Sequence, residues 1–189
     1  MAGTPYFKRA TLDAGYSRGT RVNYDAPDAL HAFRGDGSEL QAQLTFRPVS
    51  RLKLDEIYYC TRLRTRTDTF LGTPLPIATR PTTVFVNHLV RSRLNYQFTR
   101  ELSLRLILDY NGVIENPLLI DLERQKRVSG DVLLTYLVHP GTALYIGYSD
   151  RLENLGLFPG SPPTVGRIDF PSTTTGRQFF TKISYLFRF

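Results

Sequence analysis

Arg177 to Phe189, RQFFTKISYLFRF, is the stretch whose reading decides the fold. With a period of two, Phe179, Thr181, Ile183, Tyr185, Phe187 and Phe189 share one face, and Phe180, Lys182, Ser184, Leu186 and Arg188 share the other. One face is aromatic and apolar, and the other carries the charges. The aromatic face runs to the final residue, so nothing after it in the chain can cover it. A bilayer would. Transmembrane strands of outer-membrane barrels have this form, roughly ten residues long, apolar outward and polar inward, with aromatics at the interfaces.

Working back from that strand, the same alternation recurs. Leu102, Leu104, Leu106, Leu108 and Tyr110 oppose Ser103, Arg105, Ile107 and Asp109. His88, Val90, Leu94, Tyr96 and Phe98 oppose Asn87, Arg91, Arg93, Asn95 and Gln97. Glu39 to Arg47 alternates cleanly, and Pro48, Val49 and Ser50 turn it into a run from Arg51 to Arg64. In that run the apolar positions change parity near Asp55 and Glu56, which predicts a bulge. Gly130 to Val138 and Thr142 to Asp150 flank a His139-Pro140-Gly141 turn. A weaker first strand covers Tyr6 to Tyr16.

The connections alternate between long and short. Long polar stretches at 17–38, with one helical turn at Pro27 to Phe33, and at 65–83, 111–129 and 151–176 are separated by tight turns. The expectation is therefore an all-β chain, an antiparallel up-and-down transmembrane β-barrel of about eight strands. It forms one domain over 1–189, or the C-terminal segment of a larger barrel. Both ends then lie on the periplasmic side, with the long loops outside.

The segments Arg91 to Leu108 (RSRLNYQFTRELSLRLIL) and Leu133 to Arg151 (LLTYLVHPGTALYIGYSDR), with the terminal FFTKISYLFRF, carry a resemblance over the second half of the chain. They resemble the C-terminal barrel region of large bacterial envelope proteins that carry a family-9-like carbohydrate-binding domain at the N-terminus and a barrel of unassigned function after it. The resemblance implies the bacterial outer membrane, a large parent protein whose N-terminal part is missing here, and a barrel assembly machinery that reads the terminal strand through Tyr185, Phe187 and Phe189. The carbohydrate-binding domain is not in this sequence, so no sugar site carries over.

Composition is compatible with this. Hydrophobic residues make up 41% and charged residues 22% of 189, as expected where only alternate strand positions meet lipid. No apolar run approaches the roughly 20 residues of a membrane helix. Met1 to Tyr6 shows no secretory signal. Either the chain is a piece or processed form of a longer protein, or its start is misassigned, or the membrane reading is wrong; a fragment is the reading adopted. The net charge of +7 comes from Lys and Arg spread singly along the strands, and no nucleic-acid-binding module is recognisable, so no nucleic-acid partner is expected.

The inward face is where function is expected. Arg91, Arg93, Asn95, Arg105, Asp109, Lys182 and Arg188 would face a lumen. They either cross-link a filled interior, as in a lone eight-stranded barrel, or line a channel with some anion preference in a larger one. His31, His88 and His139 lack metal-ligand spacing, Cys60 is single, and no nucleophile with a positioned base can be named. No catalytic, metal or cofactor residues are expected, and no enzyme. Asp13, Asp109, Asp131 and Asp150 are expected to pair with arginines opposite. The alternative is a soluble all-β carbohydrate-binding module associated with a hydrolase, which would explain the aromatics.

Overall fold

A computed structural model describes residues 2–3, 9–28, 30–66 and 80–186. Each run of period-two alternation forms a strand. The eight long strands are β2 (Ala10–Asn23), β3 (Phe33–Val49), β4 (Leu52–Thr65), β5 (Thr83–Gln97), β6 (Leu102–Glu115), β7 (Lys126–His139), β8 (Thr142–Glu153) and β11 (Thr173–Tyr185). The short strands are β1 (Ala2–Gly3), β9 (Leu155–Phe158) and β10 (Thr164–Arg167). One antiparallel sheet runs in the order β1-β2-β3-β4-β5-β6-β7-β8-β11, and β9 and β10 form a separate hairpin. The chain is all-β, as the alternation predicts. Among the described residues the sheet does not close, because β11 is paired with β8 alone.

Consecutive order follows from the turns. β3 and β4 are joined at Ser50–Arg51, β5 and β6 at 98–101, and β7 and β8 by Pro140 and Gly141. Gly141 takes φ +97°, a conformation that side chains with a Cβ rarely adopt. The strand ends that the longer connections join, at 23 and 33, 65 and 83, 115 and 126, and 153 and 173, all lie at the opposite end of the sheet.

Several boundaries differ from the sequence reading. β2 begins at Ala10 and runs on to Asn23, and β3 starts at Phe33, so much of the expected 17–38 loop is strand. There both faces are polar and alternation fades, but the ladder continues, reinforced by Arg18–Asp36 (3.1 Å) and Arg21–Glu39 (2.8 Å). The same extension carries β6 to Glu115 and starts β7 at Lys126. At Pro27 the structure has one turn, with the Leu30 amide donating to the Pro27 carbonyl at 2.7 Å. The bulge expected near Asp55 is not there, since β3 and β4 keep one register from Gly35↔Thr65 to Phe46↔Leu54. The shift lies beside the turn, between Phe46 and Val49. The apolar positions change parity because Ile57, Tyr59 and Leu63 lie on the polar face in that register, with Glu56 on the apolar one.

Residues opposite one another across a ladder share a face, so register divides the sheet. One row on the first face reads Ala10, Phe46, Leu54, Leu94, Leu106, Val132, Tyr148, Phe179 from β2 to β11. The next row toward the turns continues with Leu52, Tyr96, Leu104, Leu134, Ile146 and Thr181. On the second face Asp55, Arg93, Ile107, Asp131, Ser149 and Gln178 form one row. These are called here the apolar and polar faces.

The sheet curls toward its polar face. At the end of β6 the Asn116 carbonyl accepts from the Leu119 and Ile120 amides at 2.9 and 3.1 Å. The Leu119 carbonyl in turn accepts from the Asn23 side chain at 2.8 Å, and the Asp121 amide donates to the Asp25 carbonyl at 2.7 Å. One tight turn and one asparagine side chain span roughly 16 Å at most. Four ladder steps in a flat sheet span roughly 19 Å. The ends of β2 and β6 can meet this way only across a concave polar face.

Candidate functional site: two faces and a loop-end cluster

The apolar face is covered by nothing among the described residues. Leu108 is 53% exposed, Phe179 68% and Ile183 73%, and the pattern extends to Leu12, Leu40, Phe46, Val132, Tyr136 and Ile146. Soluble monomers rarely expose an apolar patch above roughly 300–600 Å². An apolar band that runs across eight strands is a different kind of surface.

The buried cluster sits elsewhere. Phe33, Leu63, Val84, Leu119 and Ile120 are buried together at the loop end, with Ala26, Leu30 and Phe85 packed against them. Register puts Phe33, Leu63 and Phe85 on the polar face, so the 116–121 turn folds Leu119 and Ile120 over the concave side. Sequence reading took 111–129 as merely polar; the apolar run Pro117 to Ile120 inside it was the available signal.

All of the described lumen candidates share the polar face. Arg91 and Asp109 are direct cross-strand partners joined by two bonds, Nε to Oδ1 at 2.6 Å and Nη2 to Oδ2 at 3.0 Å. Such a fork is the strong form of an arginine–carboxylate contact. Asn95 lies between Lys53 and Arg105 in the ladder. Arg93 lies across from Asp55, which holds Lys53 at 2.8 Å and Thr45 at 2.7 Å. Lys182 lies 6.0 Å from the Tyr145 ring centroid, and Arg105 has no ion pair among the described residues. Phe180, a large apolar residue on this face, fits because its ring lies over Gly147 directly opposite, where a Cβ would collide with it. Of the expected acidic pairings, Asp150 meets Arg177 at 3.2 Å on the apolar face, while Asp13 and Asp131 form no ion pair among the described residues. Tyr185 lies on the apolar face at the turn end and is exposed; Phe187, Arg188 and Phe189 lie outside the described residues.

Two polar pairs interrupt the apolar face on β4 and β5. Ser92 donates to Glu56 at 2.5 Å, and the Tyr58 hydroxyl meets His88 Nδ1 at 2.8 Å. If this face meets lipid, Glu56→Leu is expected to raise stability in micelles by about 1 kcal/mol, because a carboxylate leaves the apolar surface for the loss of one hydrogen bond. Urea unfolding of both forms in the same detergent checks the sign, and a destabilised variant would mean that water covers this surface.

At the loop end, charges knit the long connections together. Arg167 pairs with Glu123 at 3.0 Å, Arg124 with Asp169 at 3.1 Å and Arg127 with Glu153 at 3.2 Å. Asn154, fully buried, holds the junction. Its Oδ1 accepts from the Lys126 amide at 2.7 Å, and its Nδ2 donates to the Arg124 and Ile168 carbonyls at 2.8 Å. Nothing in the sequence marked this asparagine, because its partners are backbone groups of two segments distant from it in the chain, 124–126 and Ile168. Among the described residues no group of three His, Cys, Asp or Glu is placed to hold a metal ion. No family model, no curated protein and no solved structure matches the chain.

Proposed function

We propose that this chain is a transmembrane β-barrel segment of the bacterial outer membrane, an anchor that displays its loop end and has no chemistry of its own. The observation that carries the reading is the uncovered apolar face, continuous from β2 to β11 on a single-layered sheet. Lipid meets that face, and Arg91, Arg93, Asn95, Arg105, Asp109 and Lys182 line the interior. Four long connections at one end and tight turns at the other support outward loops and a periplasmic turn side. β1 pairs with β2 at Asp13 and Ala14, on the edge that β11 would otherwise close. That supports a larger barrel with further strands between β11 and β2. The apolar cluster of Phe33, Leu63, Val84, Leu119 and Ile120 over the concave face favours anchoring and display over free conduction.

The test is solution behaviour. Expressed alone, the chain is expected to require detergent, to give a far-UV circular dichroism spectrum of β structure, and to migrate differently with and without heating. A monodisperse monomer in detergent-free buffer would overturn the membrane assignment and favour the soluble module.

A further inference from the structure

We propose that Arg18, Arg34, Arg62 and Arg64, clustered at the loop-side margin of the apolar face, form a binding site for phosphorylated lipid headgroups. The proposal rests on the membrane reading above and adds a ligand class and a leaflet to it. Register places the four together. Arg18 and Arg62 flank Ser38 in one row, Arg64 lies across from Asp36 in the next, and Arg34 follows Asp36 along β3. Cross-strand neighbours on one face have Cβ atoms about 5 Å apart and diagonal ones about 7–8 Å. Arg64 and Arg34 are such a diagonal pair, Arg62 and Arg64 are two residues apart on one strand, and Arg18 stands two strands from Arg62, separations that long arginine side chains can bridge toward one or two phosphates.

Their height is telling. On β2 to β4 the row before them is Tyr16, Leu40 and Cys60, so the arginines begin about 7 Å further along these strands, with Val86 and Ile114 continuing the face beside them on β5 and β6. The counter-charge there is spent. Asp36 is the carboxylate in the patch, and its two oxygens are taken by Arg18 at 3.1 Å and Arg66 at 3.4 Å. Arg34, Arg62 and Arg64 are exposed and form no ion pair with any described carboxylate. At the opposite margin the same face ends on Leu102, Tyr136, Leu144, Ile183 and Tyr185. Exposed arginines also stand at the turn end, Arg9, Arg47, Arg51 and Arg100, so it is the grouping of the loop-side set on the apolar face, and not its charge alone, that points to a shared anion. Arginine's planar fork suits phosphate oxygens, and its position beside the apolar band fits a phosphate attached to acyl chains better than a free ion.

The experiment uses the whole chain refolded in dodecylmaltoside micelles and titrated with bis-phosphorylated lipid A, read by native mass spectrometry. Dephosphorylated lipid A and inorganic phosphate are run as separate arms. Insertion into phosphatidylcholine vesicles is measured in parallel. The double variant Arg62→Ser/Arg64→Ser is expected to bind bis-phosphorylated lipid A at least about tenfold more weakly, the loss of one charge-assisted hydrogen bond or more. Arg62→Lys/Arg64→Lys, which keeps the charge, should retain most of the binding, and Arg100→Ser at the turn end should bind as the parent does. Equal binding by parent and double serine variant, or equal weakening by Arg100→Ser, would overturn the site while leaving the membrane reading intact. Inorganic phosphate binding as tightly as the lipid would overturn the lipid source. Failure of the parent to insert into phosphatidylcholine would overturn the membrane reading and the site with it. Should the double serine variant refold poorly, Arg34→Ser alone gives the same comparison at a strand-end position.

Discussion

Leu106→Arg is expected to cost roughly 2–4 kcal/mol of folding free energy in lipid, while Arg105→Leu, one residue away, is expected to leave folding nearly unchanged. The two residues are neighbours on β6 that point to opposite faces. Leu106 lies between Leu94 and Val132 in an unbroken apolar row, so a guanidinium there has no partner and no water near the midplane. Arg105 lies between Asn95 and Leu133 on the concave face and holds no ion pair among the described residues, so its removal breaks none. Urea titration in phosphatidylcholine vesicles reads both. Equal costs would mean that the faces are reversed or that both are wet, and the barrel reading would fall with them.

Asn154→Ala should have the largest local effect. It removes the fully buried side chain that bonds the Lys126 amide and the Arg124 and Ile168 carbonyls, all three bonds part-buried, at a cost of about 3 kcal/mol. Because these bonds tie the β9–β10 hairpin to the start of β7, the loss should appear as local opening, with the strands of the sheet retained. Hydrogen exchange at the Lys126 amide should accelerate about a hundredfold, the equivalent of that free energy, and trypsin should cut after Arg167. Unchanged exchange with an intact hairpin would show that the surrounding ion pairs suffice to hold it.

The faces were legible in the sequence because period-two alternation is a direct consequence of strand geometry, and it separated Leu102, Leu104 and Leu106 from Ser103 and Arg105 without error. Strand ends were not legible. Beyond the apolar band both faces are polar, as at Arg18, Arg21, Asp36 and Glu39, and a ladder held by backbone bonds and ion pairs has no hydrophobic period. Asp55 and Glu56 misled for a related reason. The apolar positions change parity there because Ile57, Tyr59 and Leu63 sit on the polar face in an unshifted register, while Glu56 takes Ser92 on the apolar face. The loop-end cluster and Asn154 depend on segments that the chain brings together only after folding, and alternation says nothing about them.

The strand order has a kinetic consequence. From β2 to β8 each long strand pairs with its neighbour in sequence, so those ladders can zip from adjacent hairpins with little chain to immobilise first. β11 is the exception, since pairing Thr173 with Glu153 requires closing the connection that contains β9 and β10. Closure entropy grows with the logarithm of the free length, and a preformed hairpin pinned by Asn154 removes part of that length in advance. β11 is therefore expected to dock last, at a rate set by how early its own connecting loop has folded.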